Sequence, residues 1–256
     1  MAYMHINNLY KAQEILAFKR CYALEKIHGT SAHVSWKDGK VGFFSGGESY
    51  DRFVALFDST SLGEKFAARF SDEDHVVVFG EAYGGKQLGM SATYGKWLRF
   101  VAFDVKMGTT WCDVPRAAEL VAYLGLEFVA YTDVSTDVDA INAERDAPSV
   151  QAVRNGITEP KMREGVLLRP PFEVTANNGE RVMAKHKRDE FSERATTPVD
   201  PAKHEMLLQA TAIADEWVVP MRLEHVINTI LSGRDEKVIS MSDTPLIIRT
   251  MVEDVF

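Results

Sequence analysis

The chain has 256 residues, 46% of them hydrophobic and 26% charged, with two cysteines and nine prolines. That length allows one large domain, or one with a small appendage, around a core that needs no disulfide or metal staple. The composition excludes collagen, coiled-coil and disordered chains, and no apolar run approaches the ~20 residues of a membrane span. The net charge of −8, from 29 Lys+Arg against 37 Asp+Glu, excludes indiscriminate coating of nucleic acid, which needs many phosphate-neutralising cations.

The opening Met-Ala-Tyr-Met-His-Ile-Asn-Asn has neither the basic nor the apolar region of a signal peptide. Cys21 and Cys112 fit no Cys-x-x-Cys pattern, so a reducing, cytoplasmic setting is expected. Ala32-His-Val-Ser-Trp36 alternates and Val41-Gly-Phe-Phe44 follows, with Lys37-Asp38-Gly39-Lys40 between them. Asp-Gly supplies the positive φ of a tight hairpin turn. From Glu48 the period lengthens: Phe53, Leu56 and Phe57, then Leu62, Phe66 and Phe70, fall at helical spacing. Residues 75–79 and 98–103 read as buried strands. Asp113 followed by Pro115 opens a helix whose apolar Leu120, Val121 and Leu124 end at Gly125. Residues 126–131 read as another strand, 135–155 as polar helix broken near Pro148, and 165–168 as a strand. A hairpin over 172–187 turns at Asn178-Gly179.

After Glu190 the pattern becomes helical, from Pro201 through Trp217, from Pro220 to Gly233, and from Thr244-Pro245 onward. The expected fold is α+β, with mostly antiparallel sheets and flanking helices over 1–190, then a small all-α domain over 191–256. That tail holds eleven acids and six bases, net −5, which leaves −3 for the remainder.

Lys26-Ile-His-Gly29 is a Lys-x-x-Gly, a pattern expected about once by chance in a chain this long. A second stands at Lys86-Gln-Leu-Gly89. The first directly precedes a strand hairpin, and its Gly29 lets backbone approach a ligand closely. Downstream, in order, stand Val77-Val-Phe-Gly-Glu81, Phe100-Val-Ala-Phe-Asp104, Glu164-Gly-Val-Leu-Leu-Arg169 and Met183-Ala-Lys-His-Lys187. Singly, Glu81 reads as a surface carboxylate, Phe103 as a core aromatic and Glu164 as a loop acid. Five signatures in one order are hard to ascribe to accident.

A lysine amine attacks only when neutral, and at a reference pKa of ~10.4 little is neutral at pH 7. Burial or nearby cations must lower that value. Lys185 and Lys187 alternate about His186 and share a strand face, from which they can supply positive potential near Lys26 and hold phosphate. Glu164 best suits a hard cation such as Mg²⁺, which keeps most of its waters. His5, His33, His75, His204 and His225 show no metal-ligand spacing and read as solvated or core residues. Gly84-Gly85 lacks the Gly-Lys-Ser/Thr of a phosphate-binding P-loop.

This ordered set resembles the covalent nucleotidyltransferase superfamily of ATP-dependent ligases and mRNA capping enzymes, over about residues 22–190. Glu25-Lys-Ile-His-Gly-Thr30 is most similar to the RNA ligase 2 branch of RNA-repair ligases; DNA ligases and capping enzymes usually have Asp where this chain has His28. The resemblance implies a nucleotidyltransferase (ATP-grasp-like) ligase core, an adenylyltransferase domain, over 1–190. It implies ATP-dependent joining of 3′-hydroxyl and 5′-phosphate ends, in RNA ahead of DNA, through a lysyl-AMP on Lys26, with no membrane partner. Lys26, Lys185 and Lys187 would be catalytic. Glu25, Ile27, His28, Gly29, Ser31, Glu81, Phe103 and Glu164 would surround the nucleotide, with Lys185 and Lys187 on its phosphates. Glu81 would hold the ribose, Phe103 stack on adenine, and Glu164 face Mg²⁺ or Mn²⁺.

Two departures stand out. The family commonly has Arg-Ser/Thr-Gly ending the second hairpin strand, where this chain reads Phe43-Phe44-Ser45-Gly46 and leaves Arg52 as the nearest substitute. Ser31 stands where the branch usually has Asn. A GTP-dependent capping guanylyltransferase shares the lysine chemistry but appends a β-barrel where this chain has helices. Intact Lys26, Glu81, Glu164, Lys185 and Lys187 argue against a non-catalytic nucleic-acid-binding relative.

Overall fold

The computed structural model describes residues 3–176, 178–191, 201–234 and 238–255. The chain divides into two compact units, Met1–Val199 and Asp200–Phe256. The strands of the first unit are β1 (Arg20–Lys26), β2 (Thr30–Lys37), β3 (Lys40–Ser45), β4 (Val76–Gly84) and β5 (Leu98–Met107). They continue with β6 (Thr110–Trp111), β7 (Tyr131–Ser135), β8 (Gly165–Arg169) and β9 (Ala184–Lys187). These form two antiparallel sheets, one of order β7-β1-β8-β9 and one of order β3-β2-β4-β5-β6. The fold is therefore mixed α+β with antiparallel sheets, as the sequence pattern leads one to expect.

The β2–β3 hairpin turns on Asp38 and Gly39, at φ of 51° and 68°, the paired positive values that a two-residue turn needs to match strand twist. One face of the five-stranded sheet is covered by α2 (Ser59–Ala67) and α4 (Val114–Tyr123). Leu62, Phe66, Leu120 and Val121 there pack on Val34, Trp36, Val76 and Val78. Each such side chain contributes ~1.5–3 kcal/mol by burial. Both helices are capped, α2 by Asp58, which accepts from Ser61 N, and α4, as its sequence predicts, by Asp113, which accepts from Arg116 N. The other face turns toward the four-stranded sheet, where Leu24, Ile27 and Leu167 meet Tyr83, Tyr94 and Val101. The short helices α1 (Tyr50–Val54), α3 (Ser91–Tyr94), α5 (Val138–Asp146) and α6 (Val150–Arg154) complete the unit, the last two separated at Pro148 as expected.

Two expectations are corrected. Residues 126–130 are not a regular strand; the strand is β7, beginning at Tyr131. Leu126 and Phe128 are apolar because they pack against the core, whereas β7 is a largely exposed edge. Hydrophobicity there marks burial, with pairing limited to one isolated bridge between Phe128 and Ala102. The 172–187 hairpin does turn at Asn178-Gly179, but its arms meet only around the Thr175–Arg181 bridge. The regular strand β9 pairs with β8 instead.

The second unit, by itself, contains α7 (Pro201–Trp217), α8 (Pro220–Ser232) and α9 (Thr244–Val255), where the prolines predict them. Val226 of α8 and Met251 of α9 are buried, and Arg222 pairs with Asp254 at 2.8 Å. The expected boundary after Glu190 adjoins residues 192–200, which lie outside the described residues.

Candidate active site

Lys26 ends β1, and strand alternation puts it with Leu24 on the face toward the inter-sheet layer. Register sets Lys26, Gly165 and Lys187 in one row across three strands, and Leu24, Leu167 and Lys185 in another. Gly165 has no room for a side chain, since a Cβ there would lie 2.2 Å from the His186 carbonyl oxygen. The preceding Glu164 fills the gap between the lysines. Its buried carboxylate takes Lys26 Nζ at 3.0 Å on one oxygen and Lys187 Nζ at 2.8 Å on the other. His28 Nδ1 lies 3.3 Å from the oxygen that Lys26 uses. Burial pushes the Glu164 carboxyl up, but the His28 hydrogen bond and the Lys26 and Lys187 charges outweigh it and bring its pKa down to about 2.

The facing wall comes from the five-stranded sheet. The chain after Lys26 crosses so near β4 that a Cβ on Gly29 would lie 2.5 Å from the Ala82 carbonyl oxygen. The close approach that Gly29 permits is thus to a strand. Ser31 and Glu81 are cross-strand neighbours. Phe103 sits in a bulge: Gly80 pairs with Ala102 and Phe79 with Asp104, so Phe103 has no partner on β4. Bulges commonly re-aim a side chain in this way. Burial raises the Glu81 carboxyl to about 7, with the Lys26 charge opposing and Glu164 adding to the rise.

Between the walls lies a cavity of about 400 Å³ bordered by Glu25, Lys26, Ile27, Ser31, Glu81, Phe103 and Lys185. His28, Gly29, Glu164 and Lys187 are not among its lining residues; His28, Glu164 and Lys187 join it through the Lys26–Glu164 cluster. The Glu25 carboxylate is already engaged: it accepts from Ser149 Oγ at 2.5 Å, Val150 N at 2.9 Å and Gln151 N at 3.1 Å, at the start of α6. Arg52 does not line the cavity and pairs with Glu48 at 3.1 Å, while Phe44 stacks on His33 at 5.0 Å.

Sequence reasoning missed the N-terminal segment. Tyr3, Met4, His5 and Ile6 line the cavity, so His5 belongs to its wall. The segment is fastened to β9, with Lys185 N donating to Asn7 O and Leu9 N to Lys185 O, both at 2.9 Å. The Tyr3 ring meets Phe103 edge-on at 4.9 Å, and its hydroxyl donates to Asp104 at 2.6 Å. Arg181 donates to that hydroxyl at 3.0 Å and to Asp104 at 2.6 Å; Arg169 reaches Asp104 at 2.9 Å. No periodicity announces a single extended stretch of this kind, so its sequence carries no signal.

A search of curated proteins finds no match. Among solved structures, a lysine mutant of Naegleria gruberi RNA ligase with AMP and Mn aligns at a TM-score of 0.57 and 15% identity, covering 75% of this chain and 57% of that one. An arginine mutant of the same ligase with ATP and Mn gives 0.56 at 15%, over the same shares of the two chains. A further lysine mutant, in its apo form, gives 0.56 at 18%, again covering 75% and 57%. At such identity the likeness is one of fold, and this chain spans 57% of the length of those ligases. The RNA ligase family model matches residues 19–187, more than half of the chain and all five ordered signatures. On that match, the chain belongs to the RNA ligase family.

Proposed function

We propose that this chain is an ATP-dependent RNA ligase that joins 3′-hydroxyl to 5′-phosphate ends through AMP carried on Lys26. One observation carries the reading: Lys26 and Lys187 flank Glu164 beside a cavity whose facing wall presents Glu81 and Phe103. The cavity falls in the ~300–1,000 Å³ range of small-ligand sites. A purine against Phe103 and a ribose at Glu81 bring an α-phosphate toward Lys26.

Lys26 Nζ, released from Glu164 and deprotonated, attacks the α-phosphorus of ATP. The N–P bond forms, the bond to the bridging oxygen breaks, and pyrophosphate leaves. Lys185 and Lys187 stabilise charge on the phosphate oxygens. An oxygen of the RNA 5′-phosphate then takes the adenylyl group and regenerates Lys26. Finally the 3′-hydroxyl attacks the activated 5′-phosphorus, loses its proton to solvent, and AMP leaves.

The residues fit a divalent cation. Glu164 and Glu81 are carboxylates close enough to affect one another's ionisation, and among the described residues no three His, Cys, Asp or Glu side chains gather into a metal cage. Glu164 would hold Mg²⁺ or Mn²⁺, hard cations that need few protein ligands and keep most of their waters. When bound, the cation supplies neutralisation of phosphate charge. The Naegleria ligases with AMP or ATP and Mn support the same choice. Residues 1–190 are read as the adenylyltransferase domain and 191–256 as a helical domain serving the nucleic-acid steps, in a cytoplasmic protein. No helix among the described residues is long and apolar enough to cross a membrane.

The test is incubation with radiolabelled ATP or GTP and Mg²⁺, followed by a denaturing gel. Covalent label from ATP is expected, lost in Lys26→Ala and kept in Lys86→Ala. Label from GTP alone, or label persisting in Lys26→Ala, rejects the proposal.

A further inference from the structure

The described arginines of the first unit are matched by acids, with one exception, Arg99. The Arg99 Nε is buried and makes no hydrogen bond. An unanswered guanidinium in a chain of net charge −8 asks for an anion from outside. Two residues before it, Trp97 is 74% exposed, the most exposed large aromatic side chain among the described residues. Lys86 and Lys96, both exposed, belong to the segments that lead out of β4 and into β5.

The backbone under this ring is closely fitted. The β4–β5 ladder ends at Gly84 and Leu98. A Cβ on Gly84 would lie 2.5 Å from the Trp97 carbonyl oxygen, and Gly85 N donates to Gly95 O at 3.0 Å. Arg99 and Val101 alternate onto one side of β5, with Trp97 in the bend just before the strand, and Val101 pairs with Glu81 of the nucleotide cavity. At ~3.3 Å per residue, Leu98, where β5 begins next to Trp97, stands about 10 Å along the sheet from that pair. Between them Tyr94 of α3 accepts a hydrogen bond from His28 N at 3.4 Å, tying this end of the sheet to the Lys26 loop.

We infer that Trp97, with Arg99, Lys86 and Lys96, is a docking platform for a single RNA strand beside its reactive end. The inference rests on the RNA ligase reading. A base stacks on the indole, and the flanking phosphates meet the three cations; an aromatic face with local positive charge is the chemistry that holds single strands without reading sequence. Bulk charge repels RNA from this chain, so binding has to come from placed cations of this kind. None of the four residues lines the nucleotide cavity.

The test uses the full chain and a fluorescent 5′-phosphorylated single-stranded RNA, with anisotropy for binding and ATP label transfer as a separate readout. Trp97→Ala should weaken RNA binding ~10-fold or more, Trp97→Phe should stay near the parent, and Arg99→Ala should lower the salt slope of log Kd by about 0.7. Label transfer should be unchanged in all three, which also shows that they are folded. Parent-like RNA affinity in Trp97→Ala, or no RNA binding by the parent, overturns the inference and turns the patch toward a protein partner. A parent that binds RNA through Trp97 yet takes no label from ATP upholds the platform and rejects the ligase reading.

Discussion

Glu164 and Glu81 are both carboxylates near Lys26, and their surroundings drive them to opposite states. Glu164, lowered from 4.5 to about 2, stabilises the fold above pH 4.5 and loses that contribution as pH falls toward 2. Glu81, raised from 4.5 to about 7, works the other way: the folded chain keeps a proton that the unfolded chain has released. Its contribution is full below pH 4.5 and is lost as pH rises through 7. Glu81→Gln, which copies the protonated shape, should therefore match the parent in stability at pH 4 and exceed it at pH 8 by roughly 1–3 kcal/mol, seen as a higher thermal midpoint. Melting curves across that range decide it; a parent as stable as the variant at pH 8 denies the proton. Tyr3 offers a second residue-scale test, since its ring supports Phe103 while its hydroxyl is held between Asp104 and Arg181. Tyr3→Phe keeps the ring and removes the hydroxyl, costing ~1–3 kcal/mol for the buried partners left unmatched, with a raised KM for ATP in label transfer. An unchanged KM would confine Tyr3 to stability.

At the scale of elements, the row Lys26–Gly165–Lys187 depends on three strands keeping one register. Gly165→Ala sets a methyl group 2.2 Å from the His186 carbonyl oxygen, a backbone atom that cannot rotate aside. That variant should lose β9 from the sheet and most label transfer, read by limited proteolysis near residue 184 and by the ATP gel; normal labelling would show that the register bends. Much of this layer was legible in advance. The Asp38-Gly39 hairpin, the Asp113 cap and the proline-led helices follow from short-range rules, and β-strand alternation alone puts Lys185 and Lys187 on one face. The rest depends on distant partners. The polar edge strand β7 lacks the apolar signature that 126–130 carries for packing, the bulge at Phe103 is a mismatch between two strands, and residues 3–6 gain their place only from distant partners, β9 through Asn7 and Leu9 and β5 and Arg181 through Tyr3. The Glu25 carboxylate likewise reads as a site group beside Lys26, while its partners lie at 149–151, far along the chain.

Over the whole first unit, the site belongs to neither sheet alone. Lys26, Lys185 and Lys187 come from the four-stranded sheet, Ser31, Glu81 and Phe103 from the five-stranded one, and among the described residues no ladder joins the two. The seam is held by the inter-sheet core and by a few hydrogen bonds from 127–130, where Val129 N donates to Ala102 O at 2.8 Å and Glu25 N to Ala130 O at 2.8 Å. AMP bonded to Lys26 with its base on Phe103 would act as a crossbar riveted at one end to each layer. Free nucleotide stabilises only while it is in solution, by mass action; a covalent crossbar remains after the ATP is washed out. The loaded protein should therefore carry a memory of its loading, melting at a higher temperature than the unloaded form after desalting. Pyrophosphate, which drives the adenylyl group back to ATP, should erase the difference, and Lys26→Ala should never acquire it. Identical melting of the loaded and unloaded chains after desalting would mean that the two sheets are already locked without the nucleotide.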